Sequence, residues 1–91
     1  MRDLLAVPTT WTAIAASTFH LEEVVLDNPT SGPLSFFVRD GQAIPVYLFD
    51  GFELPAGADY ADDFSGGELR AGVQWKASGA GLLGMIAGYE T

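Results

Sequence analysis

A cysteine-free chain of 91 residues has no disulfide framework and no thiolate metal site, so its fold must rest on an ordinary apolar core. Hydrophobic residues make up 48% of it and aromatic residues 12%, enough for that core and too much for a disordered segment. Twelve acidic against four basic residues give a net charge of −8, which repels phosphate and sets aside nucleic acid and anionic membrane as partners, and no run reaches the roughly 20 apolar residues of a bilayer span.

The opening residues, Met1-Arg2-Asp3-Leu4-Leu5-Ala6-Val7, hold one basic residue with an acid beside it and break at Pro8. That is a poor export leader, and a soluble protein made in a cytosol is expected. Residues 1–16 read as an N-terminal arm or first strand, with a short strand over Trp11 to Ala16. Thr18 to Leu26 is a long strand that ends in the turn Asp27-Asn28-Pro29-Thr30-Ser31-Gly32. Leu34 to Arg39 and Ile44 to Phe49 form a hairpin through Asp40-Gly41, a dipeptide suited to tight turns. Pro45 removes a ladder donor, so its strand lies at an edge or begins beyond the proline. Asp50-Gly51 and Pro55-Ala56-Gly57 mark turns around the short run Phe52-Glu53-Leu54. Gly66-Gly67 is another such signal. From Val73 to Ser78 polarity alternates, with Val73, Trp75 and Ala77 on one side and Gln74, Lys76 and Ser78 on the other. Gly79-Ala80-Gly81 then turns the chain into Leu82 to Tyr89, which reads as the second half of a C-terminal hairpin. The count is seven or eight short strands and no committed helix: one all-β domain over 17–91, an antiparallel β-sandwich.

Catalytic chemistry finds little footing. The single histidine, His20, shares a strand face with Glu22 by alternation while Glu23 lies on the other, and the plainer reading is a solvent-facing polar stripe on an outer strand. One histidine and no cysteine leave a zinc site dependent on carboxylates. Asp59, Asp62, Asp63 and Glu68 are oxygen ligands of the kind calcium takes, but their spacing fits no EF-hand loop, and a solvated edge explains them as well. Ser65, in Phe64-Ser65-Gly66-Gly67, lacks the preceding glycine of a nucleophile elbow. The glycines open no phosphate-cradling loop. The expectation is a protein that is not an enzyme, with no catalytic residues, no metal and no cofactor.

Surface chemistry is more informative. Charged residues are only 18% of the chain, so much of its surface is neutral. The doubly apolar pairs Val24-Val25, Phe36-Phe37 and Leu82-Leu83 place a hydrophobic side chain on each face of a strand, so both faces must be covered by the fold or by another subunit. The expected contact residues are Leu4, Leu5, Val7 and Trp11 of the N-terminal segment with Phe36, Phe37, Leu82 and Leu83, in a homo-oligomer.

The order of these features from Phe19 to Tyr89 resembles a group of small β-sandwich proteins encoded among the head genes of tailed bacteriophages. The resemblance runs through Val24-Val25-Leu26-Asp27-Asn28-Pro29, the strand pair from Leu34 to Phe49 with Asp50-Gly51 after it, the Pro55-Ala56-Gly57 turn into an acidic strand, and the closing stretch from Glu68 to Ser78 and on to Tyr89. Residues 1–16 fall outside it and would be an arm to a neighbour. The resemblance implies a virion structural protein made in the host cytoplasm, a capsid decoration or cement protein bound to the major capsid protein or other virion proteins, with no catalytic residues to carry over. The alternative is a tail, neck or fibre component acting as a carbohydrate- or receptor-binding module. That role would require Trp11, Trp75 or Tyr60 to stand exposed in a row.

Overall fold

The computed structural model describes residues 4–91, without the side chains of 65 and 66. Alternation sets the strands. In the segment from Val73 to Ala77 the odd positions are buried and the even ones half-exposed, and from Leu34 to Asp40 Phe36, Val38 and Asp40 turn inward. The described residues form eight strands and no helix: β1 (Leu5–Ala6), β2 (Thr12–Ala15), β3 (Phe19–Asp27), β4 (Leu34–Asp40), β5 (Tyr47–Leu54), β6 (Asp59–Leu69), β7 (Val73–Ala77) and β8 (Leu83–Glu90). They make two four-stranded sheets, in the orders β1-β8-β3-β6 and β2-β7-β4-β5, with every pairing antiparallel. This β-sandwich has the strand order of a jelly roll. Between the sheets lie Val24, Leu26, Phe36, Val38, Val73 and Leu82, all fully buried, joined by Leu21 and Trp75.

Four local expectations change. The C-terminal hairpin does not form: β7 is already paired on both sides, with β2 and β4, so the chain crosses to the other sheet, where β8 pairs with β3 and β1. Asp50-Gly51 is a bulge inside β5 rather than a turn, because Phe36 faces Phe52 while Phe37 faces Asp50, and Gly51 takes the extra position at φ +85°. Gly66-Gly67 lies within β6, and the chain reverses at Arg70-Ala71-Gly72 instead. Finally, the ladder of β3 shifts between Leu21 and Glu23, so burial passes from Phe19 and Leu21 to Val24 and Leu26 and Glu23 no longer opposes His20 across the strand. The turn at Pro55-Ala56-Gly57 and the start of β5 beyond Pro45 are as expected.

The segment 1–16 supplies β1 and β2, one strand to each sheet. Three expected contact residues are withdrawn from any partner: Val7, Phe36 and Leu82 are core side chains, exposed by 3% or less. In each doubly apolar pair, then, one member fills the core. The outer member Phe37 is covered from within the chain, with its ring edge-on to Trp11 at 6.3 Å and the Lys76 ammonium 5.1 Å from its centroid. Leu4, Trp11 and Leu83 are half-buried, and Leu5 remains exposed on β1.

The four edge strands are all blunted. β1 is two residues long, and the ladders of β2, β5 and β6 each contain register shifts. Bulges and short edges discourage another chain from extending a sheet.

Candidate interaction surface

The link from β4 to β5 runs over residues 41–46, longer than a two-residue turn, and it is held at both ends. Asp40, at the end of β4, is 3% exposed. Its N–H donates to the Val46 carbonyl at 3.0 Å, and its Oδ1 accepts from the Val46 N–H at 3.0 Å and the Gln42 N–H at 3.2 Å. The Gln42 side-chain amide donates to Oδ2. Next along, the Gly41 N–H donates to the Arg70 carbonyl at 3.0 Å, and a Cβ at 41 would stand 2.0 Å from the Ala71 carbonyl oxygen, so only glycine allows the loop to lie against the β6–β7 turn. The loop thus fixed displays Ile44 at 87% exposure and Val46 at 60%. Hydrophobic side chains held out on a rigid loop are the kind of surface that a partner covers.

Burial pushes the Asp40 carboxyl up, but the Gln42 amide, the Val46 and Gln42 N–H groups and the Arg70 charge outweigh it, and its pKa lies below the ordinary 3.8. A lowered acid pKa stabilises the fold above the unfolded value, and that contribution disappears as the pH falls through the folded value. Asp40→Asn sets its own amide against the Gln42 amide and is expected to cost about 1.5–3 kcal/mol at neutral pH. Urea unfolding should show the gap from the parent protein closing in acid.

Beside the loop lies a largely apolar groove of about 180 Å³, lined by Leu21, Val46, Tyr47, Leu48, Phe64 and Leu69 together with Gly67 and Glu68. It opens between the start of β5 and the end of β6, both edge strands of their sheets. Phe64 is steadied by Phe49, whose ring also meets Phe52 and Tyr60 in a cluster closing this side of the sandwich. Glu68 is paired with Arg70, whose Nε lies 3.2 Å from Glu68 Oε1. Tyr47 joins this region to the outer face of the β2-β7-β4-β5 sheet, where its ring is 5.9 Å from Trp11 and Arg39 stacks on the indole at 3.9 Å.

The residues weighed for chemistry do not converge. His20 stacks on Tyr89, ring centroids 4.9 Å apart, and its Nε2 is 3.1 Å from Thr91 Oγ1. Among the described residues no three His, Asp or Glu side chains gather around a point where a metal ion could sit. The Ser65 side chain lies outside the described residues. Asp62 accepts a hydrogen bond from the Tyr60 hydroxyl at 3.0 Å, while Asp59 and Asp63 lie directly across the ladder from Asp27 and Glu23. Burial first, and then Asp62, raises the Tyr60 hydroxyl above its ordinary value. The rings that a carbohydrate platform needs form no row: Trp75 is in the core, Tyr60 packs against Phe52, and Trp11 is half-covered by its neighbours.

Ile44, Val46 and Leu48 were absent from the expected contact set because residues 44–49 read as strand. The signal that could have found them is Pro45. It keeps Ile44 and Val46 off the ladder, and apolar side chains in a loop have no sheet face to join. Comparison with known protein-family models, with curated proteins and with solved structures finds no match to this chain.

Proposed function

We propose that this protein is a non-enzymatic assembly module, and that its setting is the virion of a tailed phage, where it binds and stabilises the capsid as a decoration or cement protein. The observation that carries the assembly reading is the fixed loop with its exposed Ile44 and Val46 beside an apolar groove. The resemblance over Phe19 to Tyr89 supplies the virion setting, and the acidic, sparsely charged composition agrees with a subunit that keeps some neutral surface for neighbours. Copies repeated over one shell bind strongly even through small contacts, because each added contact acts at high effective concentration. The test is co-sedimentation of the purified protein with capsids that lack it. Saturable binding at micromolar concentration is the expected result; protein left wholly in the supernatant would remove the decoration reading.

A further inference from the structure

We propose that Ile44 and the groove beside it are two halves of one two-fold contact, in which a second copy of this chain seats its Ile44 in the groove and offers its own groove in return. The inference rests on reading this surface as an assembly contact, and not on the virion setting.

Asp40 and the Gly41 bond to Arg70 anchor the loop at both ends, which limits the backbone left to order when Ile44 is seated. The groove has about 180 Å³, and an apolar cavity of roughly 150 Å³ is enough to take a benzene-sized guest, so one branched aliphatic side chain fits. Val46 and Tyr47 line the groove, two and three residues from Ile44. An axis passing near Val46 therefore brings each projecting side chain to the other copy's groove, which is the self-complementary arrangement that a two-fold dimer requires.

Charge agrees with this choice of occupant. A chain of net charge −8 resists meeting itself wherever its carboxylates are dense. The acidic Asp27 and Asp59 face each other across β3 and β6 of the β1-β8-β3-β6 sheet, with Asp62 and Asp63 farther along β6. Glu68, which lines the groove, is instead balanced by its ion-pair partner Arg70, with the Arg70 and Glu68 side chains 72% and 49% exposed. A two-fold axis sets Arg70 against the second copy's Glu68 and repeats the pair in reverse. A standard interface takes about 800 Å² per partner. That is roughly a sixth of this chain's 4987 Å², and a contact built on one loop and one groove falls at the small end, forming reversibly in the micromolar range.

Sedimentation equilibrium across the micromolar range tests it. The parent protein is expected to pass from 9.7 kDa to twice that mass as concentration rises. Ile44→Asp is expected to remain at 9.7 kDa with an unchanged melting temperature, since this side chain is 87% exposed. Arg70→Glu weakens the dimer at least tenfold, and adding Glu68→Arg to it restores the dimer, a rescue that loss of folding could not mimic. A parent protein that stays monomeric throughout, an Ile44→Asp variant that still dimerises, or a mass that keeps growing past the dimer would each overturn the proposal. Capsid co-sedimentation is read separately: a monomer that binds shells removes only the two-fold contact, and a dimer that ignores them removes only the virion setting.

Discussion

Phe36→Ala is expected to lower the unfolding free energy by about 3–5 kcal/mol. Phe36 is fully buried at the middle of β4, with Phe52 opposite it on β5 and Ala77 on β7. Its ring lies 5.5 Å from Phe49 and 6.3 Å from Trp75. Truncation removes the transfer free energy of the ring and leaves a void that its neighbours cannot fill, because Phe49 is held in place by Phe52, Tyr60 and Phe64. A domain of this size has a total stability of about 5–15 kcal/mol and loses roughly 4–8 °C of melting temperature per kcal/mol. At the lower end of that range the variant is substantially unfolded at room temperature. The adjacent Phe37→Ala serves as the control. That ring packs on the outer face under Trp11, and its loss is expected to cost only about 1 kcal/mol. Thermal melts followed by circular dichroism would compare the two, and equal losses would contradict the assignment of inner and outer faces.

That pair shows how far sequence patterning reaches. Adjacent phenylalanines in a strand must point to opposite faces, and this much was legible; which one fills the core depends on where the other sheet lies. For the same reason Val7 and Leu82, offered as contact residues because they are apolar, belong to the interior. The β7 alternation was plain because its period is unbroken from Val73 to Ala77. Period two failed at Glu22 and Gly51, where a single extra residue reverses the phase and leaves no mark that a two-residue repeat can detect. The partner of β8 was also beyond local pattern. Leu82 to Tyr89 is equally apolar as the return of a hairpin or as a crossover strand, and the choice is made by β2, some sixty residues earlier, which occupies the other side of β7.

The candidate surface was hidden by a related cause. Asp40-Gly41 was expected to make a tight turn, yet Asp40 points into the protein and ties down the Val46 end of a longer loop, while Gly41 yields space to the Ala71 carbonyl. Both residues serve contacts that are distant in the chain, so a turn propensity says little about them. Only Pro45 reported locally, by forbidding a ladder where Ile44 and Val46 would otherwise have been absorbed. The exposure of these two side chains follows from the loop's anchoring, and so does their availability to a partner.

Asn28→Asp alters one terminal group and is expected to destabilise the protein by about 3–5 kcal/mol at neutral pH, the range for an uncompensated buried charge. Asn28 is fully buried in the loop after β3. Its Nδ2 donates to the carbonyls of Gly32 at 2.9 Å, Leu54 at 2.9 Å and Pro55 at 3.2 Å, and its Oδ1 accepts from the Thr30 N–H at 3.1 Å and the Thr30 hydroxyl at 2.6 Å. Its backbone adds bonds to Ala58 and from Gly57, so one residue fastens the β3–β4 loop to the β5–β6 turn. Aspartate keeps the acceptor toward Thr30 but turns an anionic oxygen toward three carbonyl oxygens. Burial and that repulsion both favour the neutral acid, so the introduced carboxyl has a folded pKa above its unfolded value near 3.9. Stability then falls as the pH rises through this window, because the unfolded chain gives up the proton first. Below it, the protonated carboxyl can donate to one carbonyl and most of the loss is recovered. Asn28→Ala, which removes the donor without adding charge, is expected to cost about 1–3 kcal/mol at any pH. Urea unfolding of both variants at neutral and acid pH decides the point: aspartate worse than alanine at neutral pH and better in acid marks Nδ2 as the group that holds the two loops together, and a pH-independent ranking would mean that it does not.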